Sequence, residues 1–135
     1  MQNAVIIASR RNPFDWVRDQ LSETKIKFLT FPDTKKGIKA LDDKTNLIII
    51  QGNVDLGFNS SEDRNEWLNG IYILDRIHNK PDHPNNRTPI IYTVLGHEAL
   101  VQEYIGRYQN PKYRIWNELS ETGIMPLVHE VLKHR

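Results

Sequence analysis

The chain has 135 residues, with 18 Lys and Arg set against 17 Asp and Glu and no cysteine. That length suits one domain with a sizeable core and is short for two. The balanced charge supplies no basic field for nucleic acid, and the absence of cysteine excludes a disulfide framework, thiol chemistry and Cys-ligated metal, in keeping with a cytoplasmic setting.

In chain order, the first apolar run is Ala4–Ala8, five residues with Arg10 and Arg11 behind it. It is no signal peptide, and no stretch approaches membrane-spanning length, so no membrane partner is expected. The run reads as a strand buried on both faces. Asn12-Pro13 supplies an N-cap with proline in the first helical position, and Phe14, Val17 and Leu21 follow at helical spacing. Ile26, Phe28 and Thr30 alternate as a second strand. Asp33 or Thr34 caps a short helix carrying Ile38 and Leu41, and Leu47–Ile50 is the third strand.

A polar segment, roughly 52–65, is long for a connection inside a compact domain, and such loops tend to be functional or mobile. A helix then carries Trp67, Ile71, Leu74 and Ile77 on one stripe, with Trp67 as a buried anchor. NKPDHPNNRTP is a loop by composition. Pro89–Leu95 is a fourth strand; Leu100, Tyr104 and Tyr108 mark a fourth helix; Tyr113–Trp116 is a fifth strand. Ile124, Leu127, Val128, Val131 and Leu132 make the clearest amphipathic stripe, a C-terminal helix. The sequons at Asn59 and Asn86 lack an export signal and are read as chance.

Five such units predict a single α/β domain over 1–135. Its expected core is a flavodoxin-like, doubly wound parallel sheet of five strands in the order 2-1-3-4-5, with helices on both faces. That order places a crevice at the C-terminal ends of strands one and three, at Ser9-Arg10 and Gln51-Gly52.

Gly70-Ile71-Tyr72-Ile73-Leu74-Asp75-Arg76-Ile77 and, after a loop, Thr88-Pro89-Ile90-Ile91 are similar to the third helix and fourth strand of two-component receiver domains. Asn117-Glu118-Leu119-Ser120 before an amphipathic helix sits where receivers carry Lys-Pro and their last helix. The resemblance covers nearly the whole chain in element order. It implies phosphoryl transfer to an aspartate ending strand three, Mg²⁺ held by acids after strand one, and a Ser/Thr and a Lys that bind the phosphate.

The pocket positions depart from that pattern. Ser9-Arg10-Arg11 stands where the acidic pair belongs, and Gln51, an amide, follows strand three. The Ser/Thr position falls on Val94 by spacing from Pro89, with Thr93 one residue early, and the Lys position on Trp116 or Asn117. The expectation is a degenerate pocket with no metal and no cofactor. Val54-Asp55-Leu56-Gly57 resembles the end of an Asp-x-Asp-Leu-Gly sequence found in some receivers, which makes Asp55 the alternative phospho-acceptor if strand three is prolonged through Gln51-Gly52-Asn53.

Other constellations are weaker. Arg10 and Arg11 beside a helix start are an anion-binding candidate. His97-Glu98 opens like a zincin helix, but Val101 stands where the second His is needed. There is no Walker loop, no Gly-x-Gly-x-x-Gly and no Gly-x-Ser-x-Gly frame. Ser9, Trp67-Leu68 and Pro89-Ile90-Ile91-Tyr92 are also similar to TIR domains, although the stretch from Trp67 to Ile71 lacks the glutamate that enzymatic members use and Glu66 is misplaced. Tyr104, Arg107, Tyr108 and Trp116 are expected to border one interface beside the last strand. The sequence is therefore read as a receiver-like protein-interaction module in signal transduction, not an enzyme, whose partner is a signalling protein or a second copy. The alternatives are a TIR-like domain, a small nucleotide- or anion-binding enzyme using the strand-end crevice, and a receiver phosphorylated on Asp55.

Overall fold

Ala4–Ala8 and Leu47–Ile50, runs with no polar residue, enter strands at the middle of the sheet, because a strand covered on both faces has no solvent side for a polar residue. The computed structural model describes residues 2–8, 26–31, 34–54, 66–78, 83–108 and 112–133. The elements are β1 (Gln2–Ile7), β2 (Ile26–Phe31), α1 (Thr34–Ala40), β3 (Thr45–Gln51), a 3₁₀ turn (Glu66–Leu68), α2 (Ile71–His78), β4 (Ile90–Val94), α3 (Glu98–Gly106), β5 (Tyr113–Asn117) and α4 (Met125–Lys133). The strands lie in the order β2-β1-β3-β4-β5, and every neighbouring pair is parallel. The helix expected after Asn12-Pro13 lies outside the described residues.

Side-chain alternation divides the core into two. Val5, Ile7, Ile48, Ile50, Ile90, Tyr92 and Val94 meet Ile73, Leu74 and Ile77 of α2 and Val101 and Ile105 of α3 on one face. Ala4, Ile6, Leu47, Ile49 and Ile91 meet Val128, Val131 and Leu132 of α4 on the other. Each fully buried Ile or Leu contributes about 1.5–3 kcal/mol, so β1, β3 and β4, which hold eight of them, carry a large share of the stabilisation. On the first face α1 approaches β1 through Gly37, where a Cβ would lie 2.7 Å from Ile7 Cγ1.

The expected helix beginning at Trp67 is instead two elements. The 3₁₀ turn ends at Leu68, and α2 begins only at Ile71. The break is imposed by Tyr92. Its hydroxyl donates to Trp67 O at 2.6 Å, and its ring sits so close to Gly70 that a Cβ there would be 2.6 Å from Cε2. Gly52 flanks the same ring, with a Cβ position 2.8 Å from Cε1. Gly70 N–H then donates to Gly52 O at 2.9 Å, and Asn69 Nδ2 to Val54 O at 3.2 Å. Gly52 and Val54, expected in a polar loop, are buried parts of the framework, and residues 55–65 of that expected loop lie outside the described residues.

Candidate functional site at the strand ends

The parallel registers bring four residues into one transverse row. Ile7 pairs with Ile50, which sets the next residues, Ala8 and Gln51, abreast; Gln51 pairs with Thr93, and Thr93 with Trp116. Ala8 and Trp116 pack in the α4-side cluster, and alternation along β3 and β4 turns Gln51 and Thr93 to that same face. A row of this kind, at the carboxyl ends of parallel strands, is where an open α/β sheet positions its chemistry.

The row is a methyl, an amide, a hydroxyl and an indole. Gln51 and Thr93 are 0% exposed, and among the described residues Gln51 Oε1, Gln51 Nε2 and Thr93 Oγ1 have no hydrogen-bond partner. Each unpartnered buried polar group costs about 1–3 kcal/mol. Trp116 fills the β5 end of the row, and its Nε1 donates to Thr122 O at 3.2 Å ahead of α4.

The two residues weighed on strand four, Thr93 and Val94, fall on opposite faces of the sheet. Thr93, not Val94, stands beside Gln51; Val94 points to the opposite face and packs with α3. The physical reason is the two-residue period, since one step along a strand reverses the face. Trp116, not Asn117, completes the row at β5. Asn117 does something else. Its Oδ1 accepts from Gly96 N–H at 3.2 Å and Leu119 N–H at 3.0 Å, while its Nδ2 donates to Glu98 Oε2 at 3.4 Å. Gly96 and His97 are both left-handed, with φ of 75° and 55°. His97, a non-glycine in that region, is held there between β4 and α3 while Asn117 fixes the amide of the preceding residue.

Ser9, Arg10, Arg11 and Asp55 lie outside the described residues. The strand extension that Asp55 requires is not made, because β3 ends at Gln51 and Val54 N–H turns back to Gln51 O at 3.0 Å. Mg²⁺ needs hard oxygen ligands of the carboxylate kind, and the row from Ala8 to Trp116 supplies none. Among the described residues no three His, Asp or Glu side chains gather into a possible metal site, and no helix is long and apolar enough to cross a membrane. The row can offer hydrogen bonds; it has no acid for covalent chemistry and no base.

The four candidate interface residues do not form one patch. Tyr104 and Tyr108 pack on the α2–α3 face, whereas Trp116 packs on the α4 face, across the edge of β5. Two residues beyond the end of α3, Tyr108 turns inward: its hydroxyl donates to Asp75 Oδ1 on α2 at 2.5 Å, and its ring meets Tyr113 edge-on at 5.9 Å. Burial, then the Asp75 hydrogen bond and charge, hold the Tyr108 hydroxyl well above its ordinary range. Arg107 is the outward member. Its guanidinium lies 4.5 Å over the Tyr104 ring, and an exposed pairing with Glu103 at 3.9 Å adds little.

Two features escaped sequence reasoning, the closure of Gly52 and Gly70 around Tyr92 and the Asn117 bridge. The first had a signal in Tyr92, a phenol in the middle of a buried strand, which must reach a partner there.

The fold is that of response regulator receivers. A two-component response regulator from Clostridium difficile superposes with a TM-score of 0.69 at 16% identity, over 98% of this chain and 97% of that one. A CheY-like receiver domain protein from Methanospirillum hungatei gives 0.68 at 9% identity, over 99% and 93%. NtrX from Brucella abortus, in a complex with ADP, gives 0.70 at 18% identity, over 99% of this chain and 28% of that one, so the chain spans little more than a quarter of NtrX. By sequence, no protein-family model matches the chain, and no curated protein matches it.

Proposed function

We propose that the chain is a receiver-like signalling module that does not take a phosphoryl group and acts through protein contacts, without enzymatic activity. One observation carries this reading: the residue ending β3 is Gln51, a buried amide lying between Ala8 and Thr93. A carboxylate oxygen can attack phosphorus and give an acyl phosphate; a neutral amide is a poor nucleophile and its nitrogen a poor anchor. The neighbours reinforce the point. Ala8 ligates nothing, and Trp116 brings an apolar ring where a cation would have neutralised the developing charge.

With its strand-end row closed to phosphate, the module's output lies in its outer surface. Arg107 stacked on Tyr104 is a preorganised cation–aromatic pair of the composition interfaces favour, and β5 is an edge strand with one side unpaired in the sheet. The partner is a signalling protein or a second copy of the chain.

The test is incubation with Mg²⁺ and acetyl phosphate, followed by amide NMR and intact mass. No adduct and no shift at Gln51, Thr93 or Gly96 is the expected result. A stoichiometric phosphoryl adduct overturns the reading, and its mapping to Asp55 would establish the atypical receiver instead. For the surface, Arg107→Ala should weaken self-association or partner capture with stability unchanged.

A further inference from the structure

We propose that the opposite end of the sheet, at the N-terminal ends of β3 and β4, carries a binding site for a small oxyanion, a carboxylate or a phosphate. A cavity of about 270 Å³ opens there between the α1–β3 turn, the loop leading into β4 and the residue before β5. It is independent of the strand-end row, being lined by Thr45 and Pro89 at strand starts, whereas Gln51 and Thr93 lie at strand ends.

The walls are built and fixed. Asn85, 0% exposed, donates from Nδ2 to Asp42 O at 2.8 Å and to Thr88 Oγ1 at 3.2 Å, which clamps the loop onto the α1–β3 turn. Thr88 N–H returns to Asn85 O at 3.1 Å. In the facing turn Asp42 Oδ1 accepts from Lys44 N–H at 2.8 Å. Lys112 Nζ reaches across to Arg87 O at 3.3 Å, which brings the ammonium over the same loop.

Three lining residues, Arg87, Thr88 and Asn46, present donor groups. Arg87 lines the cavity, and among the described residues its guanidinium has no hydrogen bond or ion pair. The Thr88 hydroxyl accepts from Asn85, so its own proton is left to donate. Asn46 has its Oδ1 occupied by Asn3 N–H at 2.8 Å, which leaves its Nδ2 as the free end. Asp43 is the one carboxylate in the lining, against the two cations Arg87 and Lys112. Arg87, Lys112 and Thr88 line one space, and a planar guanidinium, an ammonium and a hydroxyl are the groups that suit an oxyanion, which a guanidinium can meet with two parallel bonds. The volume falls below the range of roughly 300–1,000 Å³ typical of drug-sized pockets, so the ligand is compact, a free phosphate or a short carboxylate.

The experiment is an amide NMR titration of the whole chain with sodium phosphate and, separately, sodium acetate, ionic strength being held with sodium chloride. The expected result is saturable movement of the Arg87, Thr88 and Lys112 amides with at least one of the two salts, and none at Gln51 or Thr93. The salt that saturates identifies the source of the oxyanion. Arg87→Gln should weaken binding about tenfold, as the loss of a charge-assisted bidentate contact does. Asp43→Asn should tighten it, because it removes the one repulsive group. Linear, unsaturated shifts with both salts overturn the site, and so does an affinity untouched by Arg87→Gln in a protein that keeps its wild-type spectrum elsewhere.

Discussion

Gln51 on β3 and Thr93 on β4 are register partners in the parallel ladder, both wholly excluded from solvent, and among the described residues neither side chain has a hydrogen-bond partner. Two adjacent polar groups left unpaired in a core work against stability. Gln51→Met keeps the length of the side chain and deletes the amide, so it should raise the unfolding free energy by about 1–3 kcal/mol. Urea denaturation of the two proteins decides it; a lower midpoint for the variant would mean that the amide is satisfied in solution.

Gly70 and Gly106 make a matched pair. At Gly70 a Cβ would meet Tyr92 Cε2 at 2.6 Å, Tyr92 Oη at 2.8 Å and Ile50 Cγ2 at 2.9 Å, while at Gly106 it would meet nothing within 4 Å. Gly70→Ala should therefore destabilise by about 1–3 kcal/mol through overpacking. Gly106→Ala, in the last turn of α3, should be neutral or stabilising by up to about 1 kcal/mol. Thermal unfolding of both variants beside wild type checks the contrast.

Asn117 holds the start of α3 to the end of β5 through Gly96 and Glu98. Replacing it with alanine removes the acceptor for two backbone amides, those of Gly96 and Leu119. Hydrogen exchange at both should accelerate, while Glu118 N–H, bonded to Val94 O at 2.7 Å, should stay protected. Unchanged exchange at Gly96 would show that another group holds the loop.

Tyr108 supplies a pH dependence whose sign can be worked out. Burial and Asp75 raise its pKa in the folded state above the ordinary tyrosine value near 10. The contribution is thus complete below the unfolded value and is lost as pH climbs above it. Tyr108→Phe should lower stability at neutral pH and flatten the decline on the alkaline side of about pH 10. Denaturation midpoints across that range, with parallel slopes for the two proteins, would refute the assignment.

The parallel α/β architecture was readable from Ala4–Ala8, Leu47–Ile50 and the stripe Ile124–Leu132, because burial on two faces and burial on one leave different periods in a sequence. Gln51 was legible as the residue following the third strand's apolar run, and it is that strand's last residue. What periodicity could not supply was register. Strand pairing sets Thr93 beside Gln51 and leaves Val94, the position counted from Pro89, on the other face, since an offset of one reverses the face. Long-range hydrogen bonds were invisible for a similar reason. Asn117 and Asn85 look like ordinary turn residues until the fold brings Gly96 and Asp42 to them. Nothing local indicates that Tyr108 packs above the sheet and Trp116 below it.

The main-chain bond from Gly70 to Gly52, with Asn69 bonded to Val54, fastens both ends of the connection at its base. Such a base works as a splice point. Loop-closure entropy grows only slowly, by about 0.6 kcal/mol for each doubling of length, and the sheet is anchored on the near side of the join. A reporter peptide or epitope spliced between Val54 and Glu66 should leave the melting temperature of the domain close to that of the parent. This makes the position a natural handle for immobilising the protein in partner searches while the β5 edge stays open.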